Sequence, residues 1–409
     1  MGPIALFDKS FLHGLNVDEA VLFDHFFLSV ICPIFFVETL ADLGKEMKKG
    51  RTAEQVVGSI AFRTPEMHGT LNVYHGTLVS QNLLGAKVAM TGQIIPPGPI
   101  PVSINGEHSV RYKPSPEAQA MQRWQDSNFE AAEREYARVW RAQLGRTDLK
   151  EVAKRALAYG IDFSKVKSLA DAKNAADSVI LSLPEAAQLS LAIEKFNLSQ
   201  TIVPHVWRRW HATGQRALAS FAPYAAFVLS IDVFFEIALA TGKISADRAS
   251  NINDVAYLYY LPFCMLFVSS DRLHRECAPL FMRKNQEFVW GIDLKADLGA
   301  NDASLKSSLS SDQRMRGLMA LDVAPIDGGL TSELYRRHLS PPKQHNSMPA
   351  PVLDDDASKK LLEKVERISS APASAAAMRI DEENISSMVL ERMISRRRGS
   401  WLQVPDSKD

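Results

Sequence analysis

Cysteine is scarce in this chain, with three among 409 residues: Cys32, Cys264 and Cys277. Their spacing suits neither a disulfide framework nor a zinc ribbon, so reduced thiols and a cytoplasmic location are expected. An excess of one charge is also missing, since 47 Lys plus Arg balance 47 Asp plus Glu. That balance removes the overall basicity typical of nucleic-acid binders, so any basic groove must be local. Long uninterrupted apolar runs are absent too. The two most apolar windows, 21–37 and 224–240, contain Asp24, His25 and Pro33 in one and Asp232 and Glu236 in the other. Both are shorter and more charged than a membrane span and read as buried core, which predicts no membrane association. No basic stretch followed by an apolar run and a cleavage site opens the chain, so a secretory leader is not expected. With no Walker lysine loop and no GxGxxG, nothing points to an ATPase or a dehydrogenase.

What is present is ample core material, 46% hydrophobic against 23% charged residues, over a length that suits two or three domains. The start reads as a strand at 3–7, a helix over 17–30, a second buried strand at 31–36 and a helix to about 47. Residues 64–114 are dense in Gly and Pro and read as loops with short irregular strands. From 116 to 240 apolar residues recur three and four apart, as in Phe129, Ala132, Tyr136, Val139, Trp140 and Leu144, the mark of amphipathic helices. A helix at 252–261, a strand at 263–269, a helix at 270–281 and a strand at 287–294 follow. The expected class is therefore α/β, a parallel sheet flanked by helices with a mainly helical insertion. The segments expected are a discontinuous core over 1–60 and 225–300, an insertion over 61–224 and a peripheral piece over 301–340. Beyond 341, Ser, Pro and Ala dominate, and a largely disordered tail with weak helices is expected to 409.

Four carboxylates fall where a strand gives way to a helix: Asp8, Glu38, Asp254 and Asp271. In a parallel sheet such positions converge on the carboxyl edge, where ligands bind. Four acids meeting there would repel one another, which implies divalent cations held by oxygen ligands. The plainer account of each is local, since Asp at a strand end caps the following helix and an acid in a first turn complements its dipole.

These residues resemble a PIN-like nuclease domain, a family of metal-dependent ribonucleases and related nucleases. LFDKSFL supplies an apolar strand ending in Asp8, with Ser10 close behind; FFVETLADL supplies Glu38; NDVAYLYYLPF supplies Asp254; and LFVSSDR supplies Ser269 and Asp271. Lys9 stands where these nucleases usually carry Thr, and the stretch from Glu38 to Asp254 is several times the usual length. The resemblance implies a parallel α/β fold and a nuclease acting on single-stranded RNA through Mg2+ or Mn2+. It implies that Asp8, Glu38, Asp254 and Asp271 hold the metals. Ser10 and Ser269 would orient carboxylates, with Asp42, one turn after Glu38, as a reserve ligand. Two divalent ions about 4 Å apart could activate water and neutralise the leaving oxygen. The helical insertion would form a substrate wall or a surface for a protein partner.

Two other readings compete. A haloacid dehalogenase phosphatase also places Asp after its first strand, but it requires a second acid where Ser10 stands. A catalytically silent PIN-like scaffold binding nucleic acid or protein would keep the fold without cleaving. Lesser candidates are His68 and His75, without zinc context, and His205, Arg208, Arg209 and His211 interleaved with Trp207 and Trp210. This last group could stack bases, but the favoured reading is an amphipathic helix with a solvated basic side and its tryptophans in the core. Asp232 and Glu236 lie in a very apolar helix and need partners, with Arg208, Arg216 or Arg248 as candidates unless they border the acidic site.

Overall fold

A computed structural model describes residues 2–47, 50–321, 323–339, 354–375 and 385–405. Its centre is a five-stranded, all-parallel sheet in the order β3-β2-β1-β6-β7. The first half comprises β1 (Ile4–Phe7), α1 (Lys9–Gly14), α2 (Val17–Phe26), β2 (Leu28–Ile31), α3 (Pro33–Met47), α4 (Ala53–Ala61) and β3 (Gly69–Leu71). Side chains on β1 alternate between two apolar layers: Leu6 joins one core, and Ala5 and Phe7 the other. Burial on both faces explains why these strands read as apolar runs without polar alternation. The chain lays β1, β2 and β3 outward in one direction, then returns to β1's other side with β6 (Leu266–Ser269) and β7 (Glu287–Trp290). The order therefore reverses between β1 and β6, and such a reversal opens a crevice at the carboxyl ends of the strands.

Between the two halves lie α5 (His75–Leu84), an antiparallel hairpin of β4 (Pro99–Ile104) and β5 (Glu107–Tyr112), then α6 (Pro116–Gln125) and α7 (Ala131–Arg146). Helices α8 (Leu149–Arg155), α9 (Leu169–Ser182), α10 (Glu185–Lys195), α11 (Val203–Ala212) and α12 (Leu218–Phe221) surround the apolar α13 (Pro223–Ala240). Among the described residues α13 is the one helix long and apolar enough to cross a membrane, and 67% of it is buried inside the protein. The return half is α14 (Asn251–Ala256), a 3-10 segment Tyr257–Phe263, β6, α15 (Arg272–Cys277), β7 and α16 (Gly291–Ser308), with α17 (Ser311–Met315) and α18 (Leu330–His338) outside.

Three sequence expectations require correction. The second strand is Leu28–Ile31, and the run expected as a strand at 31–36 instead begins α3 at Pro33. Pro33 is preset for a first helical turn, where it lacks no needed N–H, so it starts the helix earlier than the apolar run suggested. The sheet also extends past residue 60, because Gly69–Leu71, placed in the loop-rich insertion, pairs with β2 as its outer strand.

The third correction concerns the tail. Parts of it, 340–353, 376–384 and 406–409, lie outside the described residues. The rest includes α19 (Asp355–Ser370), β8 (Ser387–Leu390), which pairs parallel with β5, and the short antiparallel pair β9 (Arg397–Arg398) and β10 (Trp401–Leu402). Arg398 and Trp401 are almost wholly buried. The Arg398 guanidinium donates to the Phe62 carbonyl at 2.6 Å and lies 3.4 Å from Asp24. Composition missed this because docking depends on a few anchors, Arg392, Ser395, Arg398 and Trp401, whose partners lie more than 250 residues away or on other elements.

Candidate active site

The crevice at the β1/β6 reversal is built by helix caps. Asp8 ends β1 and caps α1, accepting from the Phe11 amide at 3.0 Å and the Ser10 hydroxyl at 2.6 Å. Asp271 caps α15 in the same way, accepting from the Leu273 amide at 2.6 Å. Its own amide donates to the Ser269 hydroxyl at 3.0 Å, and the Ser270 amide donates to Ser10 at 3.2 Å, tying the two strand ends together. Asp254 comes in from the first turn of α14. Glu38 projects from the second turn of α3 and accepts from the Tyr257 hydroxyl at 2.8 Å. Cap and cluster are thus compatible: each Asp at a strand end satisfies a helix start and still faces its neighbours.

The four acids influence one another electrostatically. Burial raises Glu38 to about 7; Lys9 opposes the rise, while the charges of Asp8 and Asp254 add to it. Burial raises Asp254 to about 6, against the pull of His274 and with further push from Asp271 and Asp8. Asp8 behaves oppositely. Burial works against its charge, but His274, Ser10 and the Phe11 amide outweigh burial and hold its carboxyl below the usual range. The environment therefore separates the acids into an ionised Asp8 and two that take up protons near neutral pH.

Two cations sit inside this ring. His274, on α15, is 1% exposed. Its Nδ1 lies 2.8 Å from the Ser269 hydroxyl and 3.4 Å from Asp8, and its Nε2 lies 2.7 Å from the Asp254 carbonyl. A carbonyl can only accept, so Nε2 carries a proton, and the carboxylate at the other nitrogen favours a second. Burial alone would lower His274, but the hydrogen bond and charge of Asp8, with Asp254, raise it to about 9. Lys9 reaches from α1 to Asp42 at 2.5 Å and to Glu38 at 3.9 Å. Asp42 is therefore committed to Lys9 at the rim of the cluster. Ser269 meets the Asp271 backbone and His274, and touches neither carboxylate side chain.

In chemistry the donor set fits a hard divalent cation: carboxylates and hydroxyls, with mutual repulsion that such an ion would relieve. In placement it does not yet converge. Among the described residues no group of three or more His, Cys, Asp and Glu side chains is arranged to hold a metal ion. Sequence reasoning missed His274 and Tyr257. The signal for His274 was its place three residues after Asp271, one turn along the same helix.

Most of the lesser candidates have structural partners, while His205, Arg208 and His211 are exposed on α11. His68 Nδ1 lies 2.7 Å from the Asp24 carbonyl. Burial pushes His75 down to about 4, which suits its place among Tyr74, Tyr259 and Tyr260. Arg209 donates to the carbonyls of Leu83 at 2.9 Å and Phe221 at 3.1 Å, and Trp210 is buried, so this helix face is part of the core. The expected arginine partners of Asp232 and Glu236 are not the ones found. Asp232 accepts from Tyr259 at 2.5 Å, and Glu236 accepts from Lys195 at 2.6 Å and Tyr159 at 2.5 Å. The three cysteines are free and buried. No protein-family model, curated protein or solved structure matches the chain.

Proposed function

We propose that this chain is a metal-dependent nuclease of PIN-like type that hydrolyses phosphodiester bonds in single-stranded RNA. What supports the reading is the coupling of Asp8, Glu38, Asp254 and Asp271, brought from distant parts of the sequence to the carboxyl edge of a parallel sheet. Asp8, Asp254 and Asp271 would hold Mg2+ or Mn2+, with Glu38 beside them. Bound there, the cations would supply an activated water and neutralise charge on the leaving oxygen.

The protein's own groups prepare that chemistry. Ser10 and the Phe11 amide fix the Asp8 carboxylate in one orientation. A Glu38 carboxyl that titrates near 7 can accept a proton at neutral pH, as a general base must. Lys9 and His274 keep the acids from repelling one another open before cations arrive. RNA as the polymer follows from the resemblance of the acid motifs to ribonucleases of that family.

A labelled single-stranded RNA, with a DNA of the same sequence beside it, tests the reading. Degradation in Mn2+ or Mg2+ that stops with chelator is expected, and an intact oligonucleotide with either ion refutes it. Two observations favour a second reading, a non-cleaving PIN-like scaffold: Lys9 and His274 already neutralise much of the cluster, and among the described residues no group of three or more His, Cys, Asp and Glu side chains is arranged to hold a metal ion. RNA retained on the protein but not cleaved would select the scaffold.

A further inference from the structure

Where β7 ends, the chain sets an aromatic ring next to the acid cluster. The register pairs Trp290 with Ser269, so the end of β7 stands one strand spacing, about 4.8 Å, from the strand that leads into Asp271. Gly291 lets the two ends close up. A Cβ there would collide with the Ser270 hydroxyl and lie 3.1 Å from the Ser269 carbonyl carbon. On α15, neighbouring residues then reach in different directions. His274 turns inward to Asp8, while the Arg275 guanidinium lies 5.1 Å from the centre of the Trp290 ring. That contact holds a planar cation over a half-buried ring whose own place is fixed by Phe288, 6.5 Å between ring centres.

The cations at this spot are not committed to acids. Arg272 and Arg275 are exposed, and among the described residues neither guanidinium lies within ion-pair distance of a carboxylate. In a chain whose total charge is balanced, any grip on phosphates must be local, and these two arginines follow directly on Asp271. A guanidinium backed by an indole ring presents its outer face as a flat, charged surface. Such a surface stacks an unpaired nucleobase and attracts the phosphate beside it. Bases paired in a duplex hide those faces, so the fit is to a single strand. We infer that Arg275, positioned by Trp290, stacks one base of a single-stranded nucleic acid next to the phosphodiester that faces the acids. The occupant rests on the nuclease reading of the edge acids; the stacking surface rests on the register and the ring contact alone.

Fluorescence anisotropy on the full chain, in chelator to withhold divalent cations, compares a labelled RNA decamer with an abasic strand of the same length. The RNA should bind at least about fivefold more tightly, the worth of one stacked base. Arg275→Lys keeps the charge and loses the plane, so it should remove most of that preference while leaving the abasic strand bound as before. Trp290→Leu should act in the same direction, and Trp290→Phe, which returns a ring, should recover the preference. In Mn2+, Arg275→Lys should raise KM about fivefold and leave kcat within about twofold, because binding and not chemistry is weakened. A parent that prefers neither strand, or an Arg275→Lys variant that keeps the parent's preference, overturns the inference. RNA held through Arg275 but left intact in Mn2+ sustains it and refutes the nuclease reading; cleavage with a KM indifferent to Arg275→Lys does the reverse.

Discussion

Two of the regions that bury carboxylates in this protein handle them differently. In the helical layer, Asp232 and Glu236 lie one turn apart on α13, and each has a dedicated partner: Tyr259 for one, Lys195 and Tyr159 for the other. At the sheet edge, burial and the charges of neighbouring acids raise Glu38 and Asp254, while Lys9 offsets Glu38 and His274 serves both Asp8 and Asp254. In the first arrangement each acid keeps its own hydrogen-bond donor, although burial and the charge of Glu236 raise Asp232 to about 7, and removing a donor leaves a charge stranded. In the second, negative charge exceeds what the protein supplies to balance it. Burial of acid alone is therefore no sign of function; burial of acids that compete for the same counter-charges is the more informative feature.

The largest effect that separates the two regions is on chemistry. Asp254→Asn should lower RNA cleavage about a thousandfold, because losing a ligand charge leaves the attacking water less acidic. Its metal-free melting temperature should hold or rise slightly, since crowding of negative charge is relieved. Asp232→Asn should leave cleavage rates close to those of the parent. If both substitutions reduce cleavage equally, the contrast between the regions is lost.

Next in size is stability. Lys195→Met should cost about 3 kcal/mol in urea unfolding, because Glu236, 3% exposed, would keep only Tyr159 and a distant Arg155. Lys9→Met should cost less than about 1 kcal/mol, because Asp42, its 2.5 Å partner, retains access to water. Removal of residues 385–409 belongs with the larger effects. Burying Trp401 and Leu402 contributes roughly 1.5–3 kcal/mol each, so the shortened chain should melt far lower or become insoluble.

The smallest effect is a pH slope. Glu38 and Asp254 have folded-state pKa values raised to about 7 and about 6 from ordinary values of 4.5 and 3.8. Each binds its proton more tightly when folded, so its contribution is fully present below the ordinary value and is lost as pH rises through the raised one. Asp232, raised to about 7, acts with the same sign. The metal-free protein should therefore gain melting temperature as pH falls from 8 to 5. Manganese should flatten the part of the slope due to Glu38 and Asp254, and Asp232→Asn the part due to Asp232. His274, raised to about 9, adds stability that is complete below 6.5 and lost as pH rises through 9.

Asp8 and Asp271 were legible as strand-end caps, where an apolar run meets a capping residue, whereas Glu38 lies in the second turn of α3 and Asp254 in the first turn of α14. The α/β class was legible for the same reason. Boundaries were less so: apolar periodicity cannot tell a buried strand from a helix's first turn, and Pro33 decided that case at 31–36. Partners were the least legible. Nothing local foretold that Lys195 would serve Glu236, that His274 would stand between Asp8 and Asp254, or that Arg398 would bury itself beside Asp24. These are long-range choices made by packing.

The claim that the edge acids await a divalent cation is tested most directly by calorimetric titration of Mn2+ into the metal-free protein, its Asp254→Asn variant and its Asp232→Asn variant. Saturable binding by the parent, weakened at least about tenfold by Asp254→Asn and untouched by Asp232→Asn, is the predicted result. No saturable binding by the parent, or equal affinity in the parent and Asp254→Asn, would contradict it.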